Sequence, residues 1–187
     1  CTIYRFAIPD GVEEVQQITV DGLTAWEYDE DAKELSITGE GRMASFTTLS
    51  GTGHPDATDE NVGKGSQMAS FPWHRQQLEI ESVKMSDDIT AIGNQAFRKL
   101  ISMTSVQFSK GLTEIGQTSF MDDTAVAEFD LSECSALTDV KTGAFSGLGV
   151  DSVIRVPSLD VYLLFKSGVN YTRANTKIIG DTIETMK

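Results

Sequence analysis

In the second half of the chain the apolar positions recur at a fixed interval. Val83, Ile89, Ile92, Gly93, Phe97 and Met103 return as Val106, Leu112, Ile115, Gly116, Phe120 and Val126, each pair 23 positions apart. An interval of this size marks a repeat architecture, in which each turn buries its apolar face against the next. A third turn begins at Phe129, again 23 positions after Val106, and takes up two extra residues. It then restores the steps of Ile89, Ile92 and Phe97 at Leu137, Val140 and Phe145, with Ala144 filling beside the ring as Ala96 does. A fourth starts at Val153 and breaks off at Pro157. Three turns and a fragment lie close to the minimum of about three for such arrays, so the end segments must serve as caps.

Inside each turn, Val83-Lys84-Met85, Val106-Gln107-Phe108 and Phe129-Asp130-Leu131 alternate apolar and polar, the period of a half-buried strand. Val83, Val106 and Phe129 are thus expected to begin adjacent parallel strands. Lys84, Gln107 and Asp130 would then form an outward polar column with steps of about 4.8 Å, and they are the candidate ligand-binding residues. Phe97, Phe120 and Phe145 should stack as a buried aromatic column. Gly93 and Gly116 are expected where the chain bends sharply. Lys141 takes their place in the third turn, which predicts a different bend there.

The predicted fold class is an α/β repeat solenoid with a 23-residue period and parallel strands, an N-terminal β-hairpin cap and a short C-terminal helical cap. Residues 1–77 are expected as a β-rich capping segment, 78–157 as the repeats and 158–187 as the C-terminal cap, all one compact unit. Residues 24–38 read as a hairpin, with Trp26 and Tyr28 on one strand, Leu35 and Ile37 on the other and Asp29-Glu30-Asp31 at the turn. Residues 51–67, rich in Gly, Thr, Asp and Asn, read as a long polar loop. Residues 3–20 suggest one or two strands. After Pro157, the spacing of Leu159, Tyr162, Leu163 and Phe165 predicts a short helix ended by Gly168.

Three stretches resemble BspA-type leucine-rich repeats: Ala91-Ile92-Gly93-Asn94-Gln95-Ala96-Phe97, Glu114-Ile115-Gly116-Gln117-Thr118-Ser119-Phe120 and Asp130-Leu131-Ser132-Glu133-Cys134-Ser135-Ala136-Leu137. The upstream Trp26-Glu27-Tyr28-Asp29 and Leu35-Ser36-Ile37-Thr38-Gly39-Glu40-Gly41-Arg42-Met43, with Pro72-Trp73, are similar to the module that often precedes such repeats. Val156-Pro157, Tyr162, Tyr171 and Ile178-Ile179 look like the end of such an array. The resemblance implies a secreted or surface-anchored binding or adhesion-type protein with a protein or glycan ligand. It also implies that Cys134 packs inside its turn as a small apolar residue.

Composition narrows the partners. Acidic side chains outnumber basic ones 28 to 15, for a net charge of −13, so phosphate backbones and anionic headgroups should be repelled and no nucleic-acid partner is expected. No apolar run approaches the roughly 20 residues of a transmembrane helix, and none is predicted. Two cysteines are too few for a disulfide framework or a zinc site. Cys1 has two readings: a lipid attachment point, placing the protein at the outer membrane as a lipoprotein, or a chain that simply starts at a cysteine.

Catalytic signatures are missing. The chain has two histidines, His54 and His74, and no Gly-x-Ser-x-Gly, phosphate loop or His-Glu-x-x-His, so no enzyme, cofactor or metal is expected. His54, Asp56, Asp59 and Glu60 match no known ligand frame and read as a solvated loop. Asp87-Asp88 and Asp122-Asp123 read as exposed loop charges. Asn170-Tyr171-Thr172 matches a glycosylation acceptor, a short motif frequent by chance. A binding module is the leading function. A structural or accessory envelope lipoprotein, and an enzyme with an unrecognised site in residues 51–67, are the alternatives.

Overall fold

The computed structural model describes residues 17–19, 23–46, 48–49, 68–69, 72–167 and 177–180. Ahead of the repeats come β1 (Gln17–Thr19), β2 (Leu23–Asp29), β3 (Glu34–Gly39), β4 (Gly41–Arg42), β5 (Thr48–Leu49) and β6 (Met68–Ala69). The turns then contribute β7 (Ser82–Met85), β8 (Ile89–Ile92), β9 (Ser105–Gln107), β10 (Glu114–Ile115), β11 (Glu128–Asp130), β12 (Asp139–Val140) and β13 (Val153–Val156). Helix α1 (Leu159–Ser167) and β14 (Lys177–Gly180) follow.

The expected hairpin is present: β2 and β3 pair antiparallel, and Asp29 Oδ1 accepts the N–H groups of Asp31 and Ala32 at 2.9 Å to hold the turn. Strand β3 then pairs parallel with β7, so the hairpin continues the repeat sheet, in the order β1-β2-β3-β7-β9. A second sheet, β12-β10-β8-β4, is parallel throughout. The register matches residues one interval apart, Val83 with Val106 and Ile92 with Ile115. Strands β5 and β6 form a separate antiparallel pair.

Three expectations change. First, Phe129 does not follow Val106 in one ladder. Strand β11 starts a third sheet, β11-β13-β14, although it runs beside β9. Phe108 and Phe129 both stand edge-on to Phe120, each 5.5 Å away, where the turn before each has Met85 and Val106.

Second, Gly93 and Gly116 are not the bends. A Cβ on Gly93 would lie 1.7 Å from Ala44 O, and one on Gly116 would lie 2.6 Å from the Gly93 carbonyl carbon, so these glycines permit close backbone stacking. The left-handed positions come two residues later, at Gln95 (φ 58°), Thr118 (φ 49°) and Gly143 (φ 70°), and again at Lys99, Asp122 and Gly147. The third turn therefore follows the same path despite Lys141, whose N–H donates to Ile115 O at 2.9 Å.

Third, the connections are turns: among the described residues α1 is the one α-helix, so the helical share of the expected α/β fold is small. Ser158 Oγ accepts the Val161 N–H at 3.3 Å, and Val161 and Phe165, one helical turn apart, are buried.

The core is an aromatic column. Phe97, Phe120 and Phe145 are fully buried and stack with centroids 5.3 Å apart. Trp73 extends the column at one end, 5.8 Å from Phe97, and Phe165 at the other, 5.6 Å from Phe145. Trp26 meets Trp73 edge-on at 6.1 Å.

Candidate functional site

Alternation on a core-packed strand turns every second side chain outward. Val83 and Met85 are buried and Lys84 between them is exposed; Phe129 is buried and Asp130 beside it is exposed. Gln107 is exposed as well. Ser36, Lys84 and Gln107 stand opposite one another on β3, β7 and β9. Asp130 belongs to the third sheet, opposite Arg155, so the expected column of three is a pair plus a separate residue. Asp130 Oδ1 accepts the Ser132 N–H at 2.9 Å, and Arg155 Nε donates to Glu128 at 2.8 Å. Among the described residues Lys84 has no ion-pair partner.

On the second sheet, Arg42 and Glu114 are joined by two hydrogen bonds, and Lys141 pairs with Asp139. The Arg42 guanidinium holds the Glu114 carboxyl below its usual range, outweighing the opposing effect of burial. Exposed Thr90, Thr113 and Thr138 lie one per turn, but two of their hydroxyls are spent on the turn before: Thr113 Oγ1 donates to Thr90 O at 2.8 Å and Thr138 Oγ1 to Thr113 O at 3.3 Å.

Cys134 is buried, and its thiol donates to Ser109 O at 3.5 Å. Burial, with smaller contributions from Asp130 and Glu133, pushes its pKa up to about 12. A thiol so strongly held protonated is a packing group and not a nucleophile.

Asp87 and Asp88 are exposed as expected, but Asp123 is fully buried, because its position in the turn is the one Leu100 and Leu148 occupy in the neighbouring turns. His74 begins a short 3-10 turn, His74–Gln76, and is half-buried. Cys1, the 51–67 segment with His54, Asp56, Asp59 and Glu60, and the Asn170-Tyr171-Thr172 motif lie outside the described residues. Among the described residues, no group of three or more His, Cys, Asp or Glu side chains is placed to hold a metal ion, and no helix is long and apolar enough to cross a membrane.

Sequence reasoning missed two features. The Arg42 and Glu114 pair joins residues 72 positions apart. Asp123 hides in a pair of acids that looks like surface charge, although its offset of 23 from Leu100 was available as a signal.

Turns of parallel strands stacked around an aromatic column define a leucine-rich-repeat protein. The repeats are of the BspA type: residues 74–160 match the BspA type leucine rich repeat region, with six copies. Among solved structures, a leucine-rich repeat protein from Eubacterium ventriosum matches with 20% identity and a TM-score of 0.52, over 76% of this chain and 31% of that one. A leucine-rich repeat protein from Bacteroides capillosus matches at 17% identity and TM-score 0.38, over 71% of this chain and 91% of that one. This chain thus spans about a third of the length of the Eubacterium ventriosum protein, and the likeness extends to the fold alone. No curated protein matches.

Proposed function

We propose that this chain is a non-catalytic binding module, secreted or displayed at a cell surface, that holds a protein or glycan ligand on the outer face of the sheet formed by β3, β7 and β9. The observation that carries this reading is the row of half-buried Ser36 and exposed Lys84 and Gln107, in register on three adjacent strands whose neighbouring side chains Leu35, Ile37, Val83 and Met85 fill the core. Such a row offers polar groups at fixed spacing without reorganisation on binding, which lowers the entropic cost of recognition. Lys84, a cation with no ion-pair partner among the described residues of a chain of net charge −13, favours a ligand that brings an acidic group to that point. Asp130, exposed on β11 beside β9, completes the proposed contact set.

The test is an array of matrix proteins and glycans probed with the wild type and with a variant carrying Lys84→Ala, Gln107→Ala and Asp130→Asn, the last of which keeps an oxygen to accept the Ser132 N–H. Binding should fall in the variant while the Tm stays within about 2 °C, because exposed substitutions change stability by under about 0.5 kcal/mol. Equal binding by both proteins would refute the proposed face.

A further inference from the structure

In the buried column where the first and third turns place Leu100 and Leu148, the second turn places Asp123. Its Oδ1 accepts the Leu100 N–H at 2.8 Å, which ties the second turn to the first. Its Oδ2 is enclosed and has no hydrogen-bond partner among the described residues. The same turn puts Ser119 where its neighbours have Ala96 and Ala144, and that hydroxyl is also buried without a partner among the described residues. An ionised carboxylate here would carry a desolvated charge with one oxygen bare, a cost that a hydrogen bond to the other oxygen does not return. The charged side chain that bears on it is Asp122, next along the chain and of the same sign; Lys99 contributes only its backbone N–H.

We propose that Asp123 is a proton-held fastener between the first and second turns: the chain folds with this carboxyl neutral, and loss of its proton loosens the junction. Burial pushes the acid well above the usual aspartate range, against the smaller downward pull of the Leu100 N–H. The unfolded chain, with its ordinary aspartate, gives up the proton first. Stability from this group is therefore complete below the ordinary aspartate range, falls as pH rises from there to the native value, and levels off above it. Lys84 and Gln107 pair across the same junction, so its looseness would reach the exposed row.

The inference is read from stability and protonation, so it stands or fails independently of ligand binding. Urea unfolding of the wild type and of Asp123→Asn, a neutral isostere, is followed from about pH 4 to pH 9. The unfolding constant of the wild type should climb relative to the variant by up to about tenfold per pH unit inside the window. In parallel, infrared spectra of wild-type protein with carbon-13 in its aspartate carboxyls should keep a protonated-acid carbonyl band at about pH 6, two units above the ordinary range. This second measurement needs no variant to fold. Parallel pH profiles for the two proteins, or spectra with every aspartate ionised at that pH, would overturn the proposal.

Discussion

Arg42 reaches across Ala91 to Glu114 on the next strand but one, with Nη1 donating to Oε1 at 2.8 Å and Nη2 to Oε2 at 2.7 Å. The span is open because the intervening residue is alanine, whose methyl group leaves the guanidinium room to pass above the sheet. The pair staples β4, contributed from ahead of the repeats, to β10 of the second turn.

Glu114 is held below its usual range chiefly by Arg42, so the pair contributes stability above the ordinary glutamate value and loses it as pH falls through the native one. With the Arg42 side chain 41% exposed, the contribution is about 1 kcal/mol, the upper end for exposed pairs with bidentate geometry. Arg42→Ala should lower stability by that amount at neutral pH and by less at about pH 3, where Glu114→Gln should match the wild type more closely. Guanidinium salt is unsuitable here because it screens the pair; urea titrations at several pH values measure it.

The two kinds of special backbone position separate in their response to substitution. Gly116→Ala places a methyl against the Gly93 and Asn94 backbones, 2.6 and 2.7 Å away, and should cost about 3 kcal/mol or more. Thr118→Gly relieves a β-branched residue held at φ 49° and should stabilise by up to about 1 kcal/mol, net of the added freedom of the unfolded chain. Thermal unfolding of both variants should move the Tm in opposite directions.

Phe120 stacks between Phe97 and Phe145 and also meets Phe108 and Phe129 edge-on. Phe120→Ala should cost about 3 to 5 kcal/mol, the range for a large buried aromatic. A loss under about 1 kcal/mol in denaturant titration would mean that the column does not organise the core.

Cys134 should resist alkylation in the folded protein at neutral pH and react at an ordinary rate once urea unfolds the chain, with peptide mapping to separate it from Cys1. Rapid modification in the native state would contradict its burial.

What the sequence revealed follows from what a period can encode. The aromatic column, the hairpin at Trp26 and Leu35 and the helix after Pro157 were readable because each rests on local spacing and on side chains that must be buried. The sheet break after Gln107 was not, because sheet membership depends on which backbone groups pair between turns, and a sequence interval does not encode that. The roles of Gly93 and Gly116 were misread for a related reason: a glycine needed for close approach and one needed for positive φ look alike in a sequence, and only the approach to Ala44 and Gly93 separates them. For the exposed row, alternation was enough to place Lys84 and Gln107 outward, whereas the membership of Asp130 in another sheet required the ladder itself.

The central claim is that the row centred on Lys84 recognises a ligand, and charge reversal at that residue tests it most directly. Wild type and Lys84→Glu, immobilised at equal density, are compared on the same matrix-protein and glycan array, with circular dichroism to confirm equal folding. The account predicts ligands for the wild type whose signal falls at least about tenfold in the variant, the effect of placing like charges together at a contact. Undiminished signal with Lys84→Glu, or no bound ligand for the wild type anywhere on the array, would contradict it.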